Sequence, residues 1–416
     1  MTSTILVLLV GFGTLLAGVG LLGTLLGVRA TLESFSNLEI GLIMAAYYAG
    51  YIAGSQVAPR IIRNVGHIRA FAVFSALAAA ASLGLGLVVT PWTWFAIRVL
   101  SGLCVIGLYV VVESWINEQA PAEGRGRLFS VYVTSTLFAL GTGQFLLPLA
   151  SPAELTLFAV AAMLIVLGMV PIAVNRIHEP RIEIGSALGL RQLVRISPVG
   201  AVGVFCAGAL SGTFWGMAAV FGHRVGLADA QIAMLMAATI FGGAVLQWPV
   251  GHLSDLVDRR TVIILISLST AVVAACAGWL VFRGFAGLLP AQFVYGGLMF
   301  SLYGLSVAHA NDHLEPHQVL DATRGLLLMF GLGALSGPMM AGAVMDVVGP
   351  VGWPAFSTTV ASGLALFALY RTTRREPPPL DAQGEFVSMV RTSPVALELV
   401  PEVAAEEGED SPADSG

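Results

Sequence analysis

Long apolar runs dominate the chain, and short clusters of charged and turn residues separate them. Twelve runs are long enough to cross a hydrocarbon core of about 30 Å as a helix, which satisfies its own backbone polar groups. They cover about 5–28, 40–58, 70–90, 93–115, 128–150 and 155–175. After a polar stretch come about 196–221, 230–250, 262–281, 286–310, 325–345 and 353–370. The first run is too long for a signal peptide and no basic residue precedes it, so it is read as a retained helix. The pattern predicts an all-α polytopic membrane protein with twelve transmembrane helices.

Composition agrees: 56% of residues are hydrophobic and 11% charged, against about 25% charged in soluble domains. All twenty basic residues are arginines, and they are unevenly placed. The even-side connections and C-terminal end hold fifteen, from Arg60, Arg63 and Arg69 to Arg374 and Arg375; the opposite side holds Arg29, Arg224 and Arg283. That bias predicts both termini on the cytoplasmic side of the cytoplasmic (inner) membrane. The net charge of −5 belongs to the tail: residues 372–416 carry ten acids against three arginines. Low in apolar content, that segment is expected to be a disordered cytoplasmic extension without a partner.

The chain is internally repeated. LYVVVESWINEQAP (108–121) corresponds to LYGLSVAHANDHLEP (302–316), with Leu108, Tyr109, Asn117 and Glu118 aligned on Leu302, Tyr303, Asn311 and Asp312 at one offset of 194. The same offset carries Arg98 onto Gln292 and Gly102 onto Gly296. Two six-helix repeats follow: residues 1–175 and 196–371, joined by a cytoplasmic linker at 176–195. A second pair of segments sits between helices 2 and 3 of each half: GSQVAPRIIRNVGHIR (54–69), with Gly54, Arg60, Gly66 and Arg69, and GHLSDLVDRR (251–260), with Gly251, Asp255, Asp258, Arg259 and Arg260. These nine residues are expected to form a cytoplasmic gate; in the second copy Asp255 is expected to cap the next helix, and Arg259 and Arg260 to face the cytoplasm.

Two such halves with a G-x-x-x-D-x-x-x-R-R connection resemble the major facilitator superfamily. Arg98-x-x-x-Gly102 is similar to its fourth-helix signature, and Gly333-x-x-x-Gly337-Pro338 with Gly342 resembles its glycine-proline packing motif. APRIIRNVGHIR, ESWINEQAP, AHANDHLEP and RTSPVALEL together resemble the YcaD-like bacterial branch. The chain departs from the superfamily pattern at Ala58, where the signature acid is missing, and at Leu256. Helix 5 reads Gly141-Thr-Gly-Gln144 in place of a glycine-proline motif. The resemblance implies a secondary transporter, proton-driven, with helices 1, 4, 7 and 10 around a central cavity.

Arg98 and Glu113 are the charges of the fourth run. Arg98, Gly102, Tyr109 and Glu113 share one helical face, which the resemblance points inward; fifteen residues of rise, about 22 Å, keep the two charges apart. Each also has a plainer reading, Arg98 reaching the outer headgroups and Glu113 anchoring an interface beside Trp115. A carboxylate can change protonation state whereas a guanidinium cannot, which makes Glu113 the candidate coupling group and Arg98 a fixed charge. Gln144, Trp215, Gln247, Gln292, Tyr295 and Tyr303 are further candidates for the cavity, or for interhelical hydrogen bonds. The alternative class is a transport-inactive sensor or scaffold of the same fold. A nucleotide loop, a metal triad and a nucleophile with its base are all missing from the sequence, so neither an enzyme nor a cofactor is expected. The expected partners are a small-molecule substrate, the bilayer and protons, with no nucleic acid and a monomeric chain.

Overall fold

The charged clusters that end the apolar runs do not end the helices. The computed structural model describes residues 3–119, 125–174, 188–315 and 318–374, together with Gln383 and Phe386. Its six first long helices are α1 (Ser3–Leu32), α2 (Asn37–Val65), α3 (His67–Leu87), α4 (Pro91–Gln119), α5 (Arg125–Gln144) and α6 (Thr156–Val174). A short α7 (Leu190–Ile196) precedes α8 (Pro198–Arg224), α9 (Asp229–Leu256), α10 (Arg259–Leu280), α11 (Phe285–Asn311), α12 (Val319–Val348) and α13 (Gly352–Thr372). Most overrun the apolar windows by a few residues, because a helix continues into the polar zone until a cap or turn stops it. Eleven described helices are long and apolar enough to cross a membrane. The twelfth, α2, is as long but diluted by Tyr47, Tyr48, Tyr51, Arg60 and Arg63.

Local chemistry sets the ends. Ser36 and Glu39 form a capping box at the start of α2, each satisfying a backbone donor of the other. One residue, Gly66, turns α2 into α3 with φ of 86°, a conformation that glycine adopts without steric cost. Asp258 caps α10 by accepting from the Arg260 N–H at 3.2 Å. The expectation that Asp255 makes this cap is therefore corrected: Asp258, adjacent to the first helical residue, is the position whose side chain reaches the open N–H groups.

Each pairing in the first six helices has a counterpart in the last six. α2 packs on α4 as α9 does on α11; α1 meets α5 and α6 as α8 meets α12 and α13; α3 meets α4 and α6 as α10 meets α11 and α13. Glycines make the closest of these contacts. A Cβ on Gly102 would strike the Tyr47 carbonyl oxygen, and one on Gly296 the Thr239 carbonyl oxygen, so the repeat seen in the sequence is also a repeat of backbone-to-backbone contact. Gly333 and Gly337 lie against the carbonyls of Phe205 and Ala209 in α8, while Gly342 and the Pro338 carbonyl lie against Asn37 and Gly41 in α2.

The two groups of six meet midway along α2 and α12, where Gly331 lies against Ile52, and at the end of the molecule with few arginines. There Asp346, in the last turn of α12, accepts from the Asn37 and Leu38 backbone N–H groups at 3.0 and 2.9 Å and from Asn37 Nδ2 at 2.9 Å. Arg224 donates to the Phe35 carbonyl at 2.8 Å. Phe241 of α9 lies beside Phe138 and Phe145, with centroids 5.6 and 6.4 Å away. Between residues 176 and 195, only 188–195 are described. Leu193 of α7 is buried there and its tip abuts Gly325.

Candidate functional site

A small chamber of about 30 Å³ lies beneath that closed end, lined by Val19 and Gly23 of α1, Met44, Tyr47 and Tyr48 of α2, Arg98 of α4, Leu140 of α5, and Trp215 and Gly216 of α8. Arg98 is its one lining charge. It is 8% exposed, its guanidinium carbon lies 4.5 Å from the Tyr47 ring centroid, and Nη2 is 4.0 Å from the Met44 sulfur. A cation over an aromatic face is attracted by the ring quadrupole, more strongly where water is excluded. Arg98 therefore turns inward onto α2, away from the headgroup position its depth also allowed.

Glu113 sits four turns further along α4 and is 0% exposed. The Tyr132 hydroxyl of α5 donates to its Oε1 at 2.7 Å. Tyr109, one turn before Glu113, meets Phe12 of α1 edge-on at 5.0 Å, and Phe12 in turn stacks over Tyr132 at 6.3 Å. Tyr303, from α11 in the other group of six, lies within electrostatic reach of Glu113. The reading of Glu113 as an interfacial anchor is corrected by this burial. Trp115 is likewise fully buried, between His67 and Phe71 at 5.7 and 6.1 Å, where an interfacial position was expected.

Five of the other expected cavity residues, Gln144, Gln247, Gln292, Tyr295 and Tyr303, do not line this chamber. Gln144 clamps α5 to α1: Nε2 donates to the carbonyls of Gly20 and Leu140, both at 3.0 Å, and Oε1 accepts from Thr24. Gln292 accepts from Thr239 at 3.3 Å, inside the α9–α11 contact. Tyr295 faces Trp353 of α13 at 5.7 Å, and Tyr303 faces Phe330 of α12 at 4.9 Å. Gln247 is buried, 2% exposed. Trp215 does line the chamber, against Phe214 at 5.1 Å. Sequence reasoning missed Tyr47, Tyr48 and Met44, for which the aromatic cluster at 47, 48 and 51 was the available signal, and it missed Tyr132 and Asp346.

The expected gate segments differ between the halves. Arg60 and Arg69 are exposed and Gly54 packs against Leu103 and Ile106. Arg259 and Arg260, expected to face solvent, are 1% and 3% exposed. Arg259 pairs with Asp312 at 2.6 Å and approaches Asp255 at 3.5 Å; a buried cation is held inside only by such partners. Ala58, fully buried, stands where the first copy would carry its acid.

The Major Facilitator Superfamily model matches residues 200–403, and the Sugar (and other) transporter model matches residues 18–149. Between them the two matches run along both six-helix halves, so the chain is similar to transporters of the major facilitator superfamily. The MFS-type transporter YcaD of Escherichia coli O7:K1 (strain IAI39 / ExPEC) is 27% identical over 347 residues, covering 83% of this chain and 90% of that one. YcaD of Escherichia coli (strain K12) is 26% identical over the same shares. The fold is shared with the nucleoside transporter NupG (TM-score 0.68, 13% identity, 89% and 99% covered). It is shared also with a bacterial homologue of the human lysosomal transporter Spinster in an inward-facing and unoccupied conformation (TM-score 0.65, 15% identity, 90% and 96% covered). The protein is a multi-pass membrane protein and a secondary transporter by family.

Proposed function

We propose that the chain is a proton-coupled transporter of the cytoplasmic membrane that moves a small solute by alternating access. The observation that carries this is the arrangement of the two α4 charges. Arg98 lines a chamber walled by both six-helix groups, and Glu113 is fully buried against Tyr132 at a separate level of the same helix. In this reading residues 1–175 and 196–371 are the two rocking bundles, 176–195 their cytoplasmic linker, and the functional unit a monomer, since one chain supplies every wall of the chamber. With both termini cytoplasmic, the closed end is the external one and the described state faces inward, as the Spinster homologue does.

The division of labour follows from chemistry. Arg98 stays charged through the cycle and offers planar N–H donors to a solute's acceptor oxygen or negative charge, beside the apolar faces of Tyr47, Tyr48 and Trp215. Glu113 gains and loses a proton. Vesicles holding a pH-sensitive dye and the purified protein test this against a panel of carboxylates, sugars, nucleosides and amino acids. Glu113→Gln should abolish gradient-driven accumulation and leave exchange intact, while Arg98→Ala should weaken both. Solute-dependent proton movement by Glu113→Gln at the wild-type rate would refute the coupling role.

A further inference from the structure

The arginine-rich end of α9 carries a contact that solute movement by itself does not require. The backbone N–H of Phe386, from the C-terminal segment, donates to Asp255 Oδ1 at 2.9 Å. The Phe386 ring lies on the bare backbone of Gly251, where a Cβ would collide with it, and it is packed against the apolar core. Three residues earlier, Gln383 has its side-chain oxygen shut off from solvent. Gly251 and Asp255 are one helical turn apart and so lie on one face. That face offers a slot for a ring and an acceptor for the N–H beside it.

We propose that this face of α9 is a docking surface whose occupant is the chain's own segment around Gln383 and Phe386, and that docking opposes closure of the arginine-rich end. The second clause rests on the alternating-access reading; the first does not. The inter-group contacts at Asp346, Arg224 and Phe241 lie at the opposite end of the molecule. In this state Asp255 Oδ1 is shared between Phe386 and Arg259, and Gly251 is covered. Closing the arginine-rich end brings the other six helices toward this region, where the docked segment occupies space and an acceptor. A contact made in only one of two states biases the equilibrium toward that state by its own free energy. The expected solvated appendage is thereby corrected at Phe386; apart from residues 372–374 and Gln383, the rest of the tail lies outside the described residues.

Hydrogen exchange on the full-length protein in lipid nanodiscs tests the docking. Amides in the peptide covering residues 380–390 should exchange about tenfold more slowly than those of residues 400–416, and Phe386→Ala should remove the difference. A fluorescent peptide of residues 380–390 should bind a chain ending at Arg374, and its Phe386→Ala version should not. Equal exchange along the whole tail, with no peptide binding, overturns the docking surface. The second clause is read from spin labels at Asn64→Cys and Leu256→Cys, at the arginine-rich ends of α2 and α9. Phe386→Ala should raise the short-distance population. An unchanged distribution, with exchange protection lost, overturns the opposition to closure while leaving docking and the transport reading standing.

Discussion

Glu113 is shut away from solvent, so the groups that face it decide what it can do. An ionised carboxylate without hydrogen bonds costs several kcal/mol inside a protein, and Tyr132 supplies one such bond. Tyr132→Phe should therefore lower stability by about 1–3 kcal/mol, measured by thermal unfolding in detergent. The loss should be smaller in a Glu113→Gln background, because a neutral amide needs that donor less. Equal losses in both backgrounds would show that the bond does not support the carboxylate. Glu113 and Arg98 were legible in the sequence because a charge inside an apolar run is costly and conspicuous. Their partners were not: Tyr132 lies nineteen residues away on another helix, and Tyr47 is one tyrosine of three in α2. Partner choice depends on how helices rotate against each other, which hydropathy does not encode. Gln144 shows the same gap from the other side, since a buried amide suits a cavity wall and an interhelical clamp equally well.

The long helices were each legible, with ends misplaced by up to seven residues, because a bilayer imposes a minimum length on each but does not stop a helix at its surface. The repeat showed which of them correspond. Gly102 and Gly296 had matching sequence positions and have matching contacts. Gly102→Leu should force α2 and α4 apart and cost about 1–3 kcal/mol or more. Gly363→Ala, where a Cβ meets nothing within 4 Å, should be neutral or stabilising; thermal unfolding of both variants would check the contrast. What the elements did not disclose is how the two groups latch. Asp346 is a lone acid at the end of an apolar helix in the sequence, yet it caps the N-terminus of α2 from the opposite group of six. Asp346→Ala should destabilise the described state by about 0.5–2 kcal/mol. Spin labels at Thr90→Cys and Phe282→Cys, both at the arginine-poor end, should then report a larger long-distance population. An unchanged distribution would reduce Asp346 to a surface cap.

At the scale of the whole molecule, the proposed function takes its orientation from the arginine bias and its state from the closed arginine-poor end. Alkaline phosphatase fused after Arg195 should be inactive, since that linker is cytoplasmic in this account; strong activity there would reverse the topology. A proton-coupled carrier must let a protonation event at one residue change which end is open, because the two states differ in how they hold that group. The direct measurement needs no identified solute. Cys104, Cys206 and Cys276 are replaced by serine, spin labels are placed at Asn64→Cys and Leu256→Cys, and the distance distribution is recorded across a pH series, with and without Glu113→Gln. The account predicts that the balance of short and long distances shifts with pH in the protein carrying Glu113 and becomes independent of pH in Glu113→Gln. The same pH-driven shift in both proteins would contradict it.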